Sequence, residues 1–409
     1  MKQIVYQHSN VNTLNRRIAT FYLVIMLIQI IPLEGNNISN IKVGAMAMAA
    51  VFTVWRTFYI SKATIWIIFY LGSVLLSAVV INYNYRSSTL IYFALFLVMF
   101  NMYYGLINNG AFTSEFFIKL IKWLIYAYTI TLIVQQVTNF AGIGEYAIVN
   151  KFFVSPERGM LVGNSLSLEP SHSGRILAFA FYVFLKLNEL KNGRPLAISQ
   201  LIGNENRWFT LGFLWSMTTM GSGTAFVALI IISLYFIKLR YAMFIVPTFY
   251  SLYIAIPYID NFSLNRARIA IEATLTGDAE VVKEADGSAA VRINPMINTL
   301  KTLDLTDSKQ WFGYGTDTGN NLGFYSEKKQ VGIINDYGLL SFIIGVCLIS
   351  VCCITRFFSI ETLLILALLS FTASNIAYIW GCYMLLVPLK YFYKQHARKN
   401  RINTGRLRL

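Results

Sequence analysis

What most limits the folds open to this chain is a succession of apolar runs, each about as long as a membrane-crossing helix. Short connections rich in lysine and arginine join them. A helix that spans the hydrocarbon core needs about 20 mostly apolar residues, and shorter ones are tolerated inside a bundle. Twelve stretches qualify: 18–33, 41–57, 64–82, 89–107, 119–138, 173–188, 208–220, 223–239, 241–258, 337–355, 360–375 and 378–393. The last two are short enough to form one kinked segment instead. Of 409 residues, 56% are hydrophobic and 13% charged, which excludes an ordinary soluble domain. The expected fold is an all-α polytopic membrane protein of about twelve transmembrane helices.

The 34 Lys and Arg against 19 Asp and Glu give a net charge of +15. In a soluble protein that excess would suggest nucleic acid as a partner, but here the bases sit between apolar runs and no nucleic-acid motif accompanies them. Arg16 and Arg17 precede the first run, Arg56 and Lys62 follow the second, and Lys119 and Lys122 follow the fourth. Lys186, Lys191, Arg194 and Arg207 separate the sixth from the seventh; Lys238 and Arg240 follow the eighth, and Arg356 the tenth. All fall on one side if both termini are cytoplasmic, as the positive-inside rule requires. The basic tail, 394–409, suits a cytoplasmic anchor beside anionic lipid.

Cys347, Cys352, Cys353 and Cys382 all lie in apolar runs, so neither a disulfide framework nor a zinc spacing is expected. The opening residues lack a short apolar core followed by a small-residue cleavage site, so the first helix is expected to be retained.

This orientation puts two long connections on the outer side, at 139–172 and 259–336. The second holds eleven of the nineteen acidic residues and eight Lys or Arg. Connections of that length are functional or disordered, and its apolar periodicity argues for helix. Ser263 is placed to cap SLNRARIAIEATL, and a second helix is expected over 288–303, interrupted at Pro295. Gly313-Tyr314-Gly315 and the Gly and Asn run to Gly323 read as turns.

The densest polar cluster at an apolar boundary is Arg158–Arg175, RGMLVGNSLSLEPSHSGR. Pro170 suits the first position of a helix, and spacing by three puts Glu169, His172 and Arg175 near one face of its first turns. Polar clusters at such boundaries are costly unless used, and a helix N-terminus favours an anion. Glu169 and His172 are the candidate catalytic groups. A capped helix end with a solvated ion pair accounts for the same residues, and a lone histidine at an interface often only hydrogen-bonds. Arg158, Arg175, Arg266, Arg268 and Arg292 are candidates for binding a diphosphate, since guanidinium pairs with phosphate bidentately and stays charged. Tyr314 and Tyr337 are candidate sugar-stacking rings, although interfacial aromatic belts also use such residues. There is no Asp-x-Asp, Walker motif, His-Glu-x-x-His or Gly-x-Ser-x-Gly, and neither a metal nor a cofactor is expected.

Four features together resemble the bacterial polysaccharide polymerases of the Wzy type, within the O-antigen ligase superfamily. They are Arg158-Gly159 with Glu169-Pro170-Ser171 at the mouth of a mid-chain helix; Thr218-Thr219-Met220-Gly221-Ser222-Gly223 heading an apolar helix; the two large outer loops; and Gly313-Tyr314-Gly315 leading to Asn335-Asp336-Tyr337-Gly338-Leu339-Leu340. They span roughly residues 120–355. Arg266 and Gly277 fit an Arg-x10-Gly pattern in the second loop. No first-loop arginine has its matching glycine, and no histidine lies in the last outer loop, where the ligase branch carries one.

The resemblance implies a membrane glycosyltransferase of the bacterial inner membrane, working on its periplasmic face in O-antigen, lipopolysaccharide or capsule synthesis. Donor and acceptor would be undecaprenyl-diphosphate-linked oligosaccharides, the bilayer their solvent, and a chain-length regulator protein a partner. Glu169 or His172 would take the acceptor's hydroxyl proton, and the arginines would steady the leaving diphosphate. An O-antigen ligase and a lipid-linked oligosaccharide flippase are the alternatives. A flippase would show related halves and polar residues near the bilayer midplane, and neither is visible.

Overall fold

A computed structural model describes residues 13–29, 40–56, 60–143, 161–203, 205–237, 247, 250–251, 253–258, 262–285, 287–318, 322, 326, 328–374 and 376–406. Every regular element among them is helical. In chain order these are α1 (Thr13–Leu27), α2 (Asn40–Arg56), α3 (Lys62–Leu75, extended by a π turn over Leu76–Ile81), α4 (Ser87–Asn108), α5 (Ser114–Phe140), α6 (Pro170–Asn192), α7 (Ile198–Ile202), α8 (Arg207–Thr219) and α9 (Gly223–Ser233). Then come α10 (Phe262–Leu275), α11 (Ala279–Ala285), α12 (Gly287–Thr302), α13 (Ser308–Phe312), α14 (Ile334–Cys352), α15 (Ile360–Leu364, extended by a π turn over Ile365–Leu369) and α16 (Ala377–Arg406). Among the described residues four helices are long and apolar enough to cross a membrane: Lys62–Ile81, Ser87–Asn108, Ser114–Phe140 and Ile334–Cys352. The run at 241–258 falls largely outside the described residues.

Local chemistry sets the helix ends. Ser61 and Thr64 form a capping box on α3, and the Thr113 hydroxyl accepts from the Phe116 N–H at the start of α5. Pro170 opens α6 and Gly193, at φ +68°, closes it. The runs at 360–375 and 378–393 form two elements rather than one kinked helix, because Ser370 and Phe371 both take φ +50° and turn the chain.

α16 lies at the centre, packed on α1, α4 and α6, while α6 also packs on α5 and α9. Trp380, Tyr383, Phe100, Tyr128 and Phe184 are fully buried among these helices. Polar pairs also join them, with Thr64 donating to Asn101 at 2.9 Å and Thr129 meeting Ser216 at 2.9 Å. α6 and α9 approach so closely at Gly174 that a Cβ there would meet that of Ala225 at 3.1 Å.

The helix ends sort into two groups. At one end Lys191 pairs with Glu115 (3.7 Å), Lys122 donates to Asn206 (2.7 Å) and Lys390 donates to the Ser350 carbonyl (2.8 Å). Arg16 sits over Phe116 and Arg356 over Tyr393 at the same end. The other end carries the second long connection, most of it helical. α10, α11 and α12 pack together around Ala273, Val282 and Ala290. Two expectations are corrected here. α10 begins at Phe262, one residue before Ser263, rather than at Ser263 itself. α12 runs unbroken through Pro295 despite the lost backbone bond and the ring clash that an interior proline brings, with Ile293 and Ile297 packed on the small core beneath.

Residues 308–318 of that connection dock on the turn between α3 and α4. The Thr316 N–H donates to the Asn84 carbonyl (2.8 Å), Asn84 Nδ2 donates to the Tyr314 carbonyl (3.1 Å), and Arg86 pairs with Asp317 (3.7 Å). Gly338, at φ +80°, breaks the first turn of α14, where a Cβ would collide with the Trp311 carbonyl.

Candidate functional site

The ends of α1, α5 and α8 meet the starts of α6, α9 and α16 opposite the basic end. Two buried glutamines of α5 hold the segment leading into α6. Gln135 Oε1 accepts the Ser165 N–H (2.7 Å), while Gln135 Nε2 donates to the Ser165 carbonyl and to Asn164 Oδ1 (both 3.2 Å). Gln136 Nε2 donates to the Leu161 carbonyl (2.7 Å), and Gln136 Oε1 accepts from Trp215 of α8 (2.9 Å). Ser165 carries φ +53°, an unfavourable conformation for a non-glycine residue, and its hydroxyl donates to the Tyr128 carbonyl at 2.5 Å.

This strapping fixes the start of α6. Glu169 precedes Pro170 and accepts from the Ser171 hydroxyl (3.1 Å); its side chain is 60% exposed. His172 Nε2 lies 3.7 Å from Glu169 Oε2, and the histidine side chain is only 16% exposed. From just past the end of α1, Gln29 Oε1 accepts the Leu168 N–H (2.8 Å) and faces His172 Nδ1 (3.2 Å). From α16, the Tyr378 ring stacks on His172, with centroids 3.9 Å apart and planes 25° from parallel. Arg175 Nη1 donates to the Tyr378 hydroxyl, and its guanidinium lies 5.4 Å from the Tyr378 centroid. Arg175 Nε is buried without a hydrogen-bond partner among the described residues.

Glu169, His172 and Arg175 therefore stand together, as their spacing implies. The other candidates are placed differently. Arg158 lies outside the described residues, as do the side chains of Arg266 on α10 and Arg292 on α12. Arg268 is engaged by Glu272 at 2.7 Å, one turn along α10. Tyr314 keeps a partly open ring, with Lys309 Nζ 5.2 Å from its centroid. Tyr337 is buried, its ring 6.0 Å from that of Phe93, so it packs in the core at a place where a sugar has no access. The segment 370–374 joins α15 toward α16 and is held from both sides. Its Ala373 carbonyl accepts from Tyr70 (2.5 Å), and its Ser374 carbonyl accepts from Trp380 (2.6 Å).

Sequence reasoning passed over Gln29, Gln135, Gln136 and Tyr378. The glutamines carry a usable signal, since an amide inside an apolar run needs a partner. Tyr378 carries none, being one of 25 tyrosines.

Chemically, the mouth offers a carboxylate open to solvent, a shielded imidazole beside it and a guanidinium held on Tyr378. That set can take a proton and hold an anion. No group of three or more His, Cys, Asp or Glu able to hold a metal occurs among the described residues. No protein-family model matches the chain, and no curated protein or solved structure matches it either.

Proposed function

We propose that this protein is a polysaccharide polymerase of the bacterial inner membrane, related to the Wzy type. It transfers a growing glycan from undecaprenyl diphosphate to a lipid-linked repeat unit on the periplasmic side. In this reading all twelve apolar runs cross the bilayer, both termini are cytoplasmic, and the α6 mouth faces outward. The observation that carries the reading is the grouping of Glu169, His172 and Arg175 where six helix ends meet, opposite the basic end.

The acceptor hydroxyl attacks the anomeric carbon as the bond to the lipid diphosphate breaks. The Glu169–His172 pair receives the hydroxyl proton, and the Arg175 guanidinium meets the charge gathering on the leaving diphosphate. Arg158, Arg266, Arg268 and Arg292 are further candidates for that role. Undecaprenyl tails confine both substrates to the bilayer, which accounts for the location of the site.

The test is reconstitution in vesicles with a purified undecaprenyl-diphosphate-linked repeat unit. Polymer formed together with free undecaprenyl diphosphate is the expected result. Glycan joined only to an added lipid A acceptor would assign the chain to the ligases, and movement of intact substrate across the bilayer would assign it to the flippases.

A further inference from the structure

Resting on the polymerase reading of this site, we infer that His172 Nε2, rather than Glu169, accepts the proton of the attacking hydroxyl, and that Gln29 is the positioning residue that makes it able to. The argument starts from a backbone amide. The Leu168 N–H can only donate, so the Gln29 atom 2.8 Å from it is the amide oxygen. The same oxygen lies 3.2 Å from His172 Nδ1. Two acceptors do not pair, so Nδ1 carries the hydrogen. In the neutral ring the lone pair then sits on Nε2, the nitrogen 3.7 Å from Glu169 Oε2.

The surroundings of the ring agree with this assignment. Tyr378 stacks on one face and fixes the ring plane. Among the described residues the imidazole is faced by Glu169 at the cap of its own helix, by Gln29 just past the end of α1 and by Tyr378 from α16, with the Arg175 guanidinium over that same tyrosine ring. Glu169, more than half exposed, stands beside Nε2 where a carboxylate stabilises the imidazolium once it forms. In the transfer, the acceptor oxygen forms a bond to the anomeric carbon and the carbon–oxygen bond to the diphosphate breaks. The diphosphate leaves with the electron pair, and the proton moves to Nε2. It later passes to water, returning the neutral ring.

The experiment measures the tautomer directly. The chain holds three histidines, so a His8→Asn, His396→Asn background labelled with 15N-histidine and reconstituted in nanodiscs reports His172 alone. Above the titration range, Nδ1 is expected to show the shift of a protonated nitrogen and Nε2 that of an unprotonated one. In the same background Gln29→Glu keeps the acceptor and the tautomer, and moves the acidic limb of the rate profile to higher pH. Gln29→Leu admits the other tautomer and lowers kcat about 10²-fold with little change in KM. If Gln29→Leu fails to fold, the wild-type spectrum and the Gln29→Glu profile still decide. Polymer formation with hydrogen on Nε2 and the lone pair on Nδ1 overturns the inference and leaves the polymerase reading standing. The inferred tautomer with no polymer overturns the polymerase reading and, with it, the role given to Nε2.

Discussion

The imidazole of His172 and the ring of Tyr378 stack at 3.9 Å, and the same tyrosine hydroxyl takes a hydrogen bond from Arg175. One side chain at the start of α16 therefore orients both the candidate base and the candidate diphosphate-binding cation on α6.

Replacing Tyr378 separates these two services. Tyr378→Phe keeps the stack and the cation–π contact and loses only the hydroxyl, worth about 0.5–1.5 kcal/mol, so the polymerisation rate should fall less than about tenfold. Tyr378→Leu removes all three contacts and should fall well below the Phe variant. Initial rates in vesicles measure both, and equal losses would contradict the role assigned to the ring.

Gln135 holds Ser165 and Asn164 by three hydrogen bonds. Gln135→Leu, close in size, leaves buried backbone groups unpaired at about 1–3 kcal/mol. Hydrogen exchange across 161–169 should speed up while exchange in the centre of α4 stays slow. Unchanged protection at Ser165 would show that the segment is held by something else.

The close approach of α6 and α9 makes a paired prediction. Gly174→Ala places a methyl 3.1 Å from the Ala225 Cβ and should destabilise the bundle by about 1–3 kcal/mol. Ala225→Gly in the same chain should restore most of the loss. Melting temperature in detergent reports both variants, and a Gly174→Ala variant as stable as wild type would mean that the helices separate there at no cost.

Gly338 serves the second connection rather than the α6 mouth. Gly338→Ala must adopt φ +80° and push against the Trp311 carbonyl, a strain of about 1–3 kcal/mol. The 308–318 segment should undock from the α3–α4 turn and become open to limited proteolysis, whereas Gly142→Ala, at φ +74° but with nothing within 4 Å of its Cβ among the described residues, should leave it protected.

The all-helical character, four long apolar helices and the grouping of Glu169, His172 and Arg175 were legible because they rest on short-range regularities. Apolar run length marks a candidate spanning helix, and spacing by three from Pro170 fixes a helix face. What lay hidden depends on chain-distant pairing. Nothing local to Tyr378 marks it as the ring that covers His172, and Gln29 gains its meaning only when α1 ends beside Leu168. Pro295 misled for a related reason, since a proline's local penalty reads as a break until the Ala273–Val282–Ala290 packing that outweighs it is known. Tyr337 looked like an open interfacial ring because the α14 sequence does not disclose Phe93 behind it.

The measurement that bears most directly on the central claim is the length distribution of surface polysaccharide on a gel. Cells lacking this protein would be complemented with wild type or with Glu169→Gln/His172→Gln at equal membrane abundance. The account predicts a ladder with wild type and a single repeat unit with the double variant. A normal ladder from the double variant would contradict the assignment of the site, and loss of even the single unit in the uncomplemented cells would contradict polymerisation as the function.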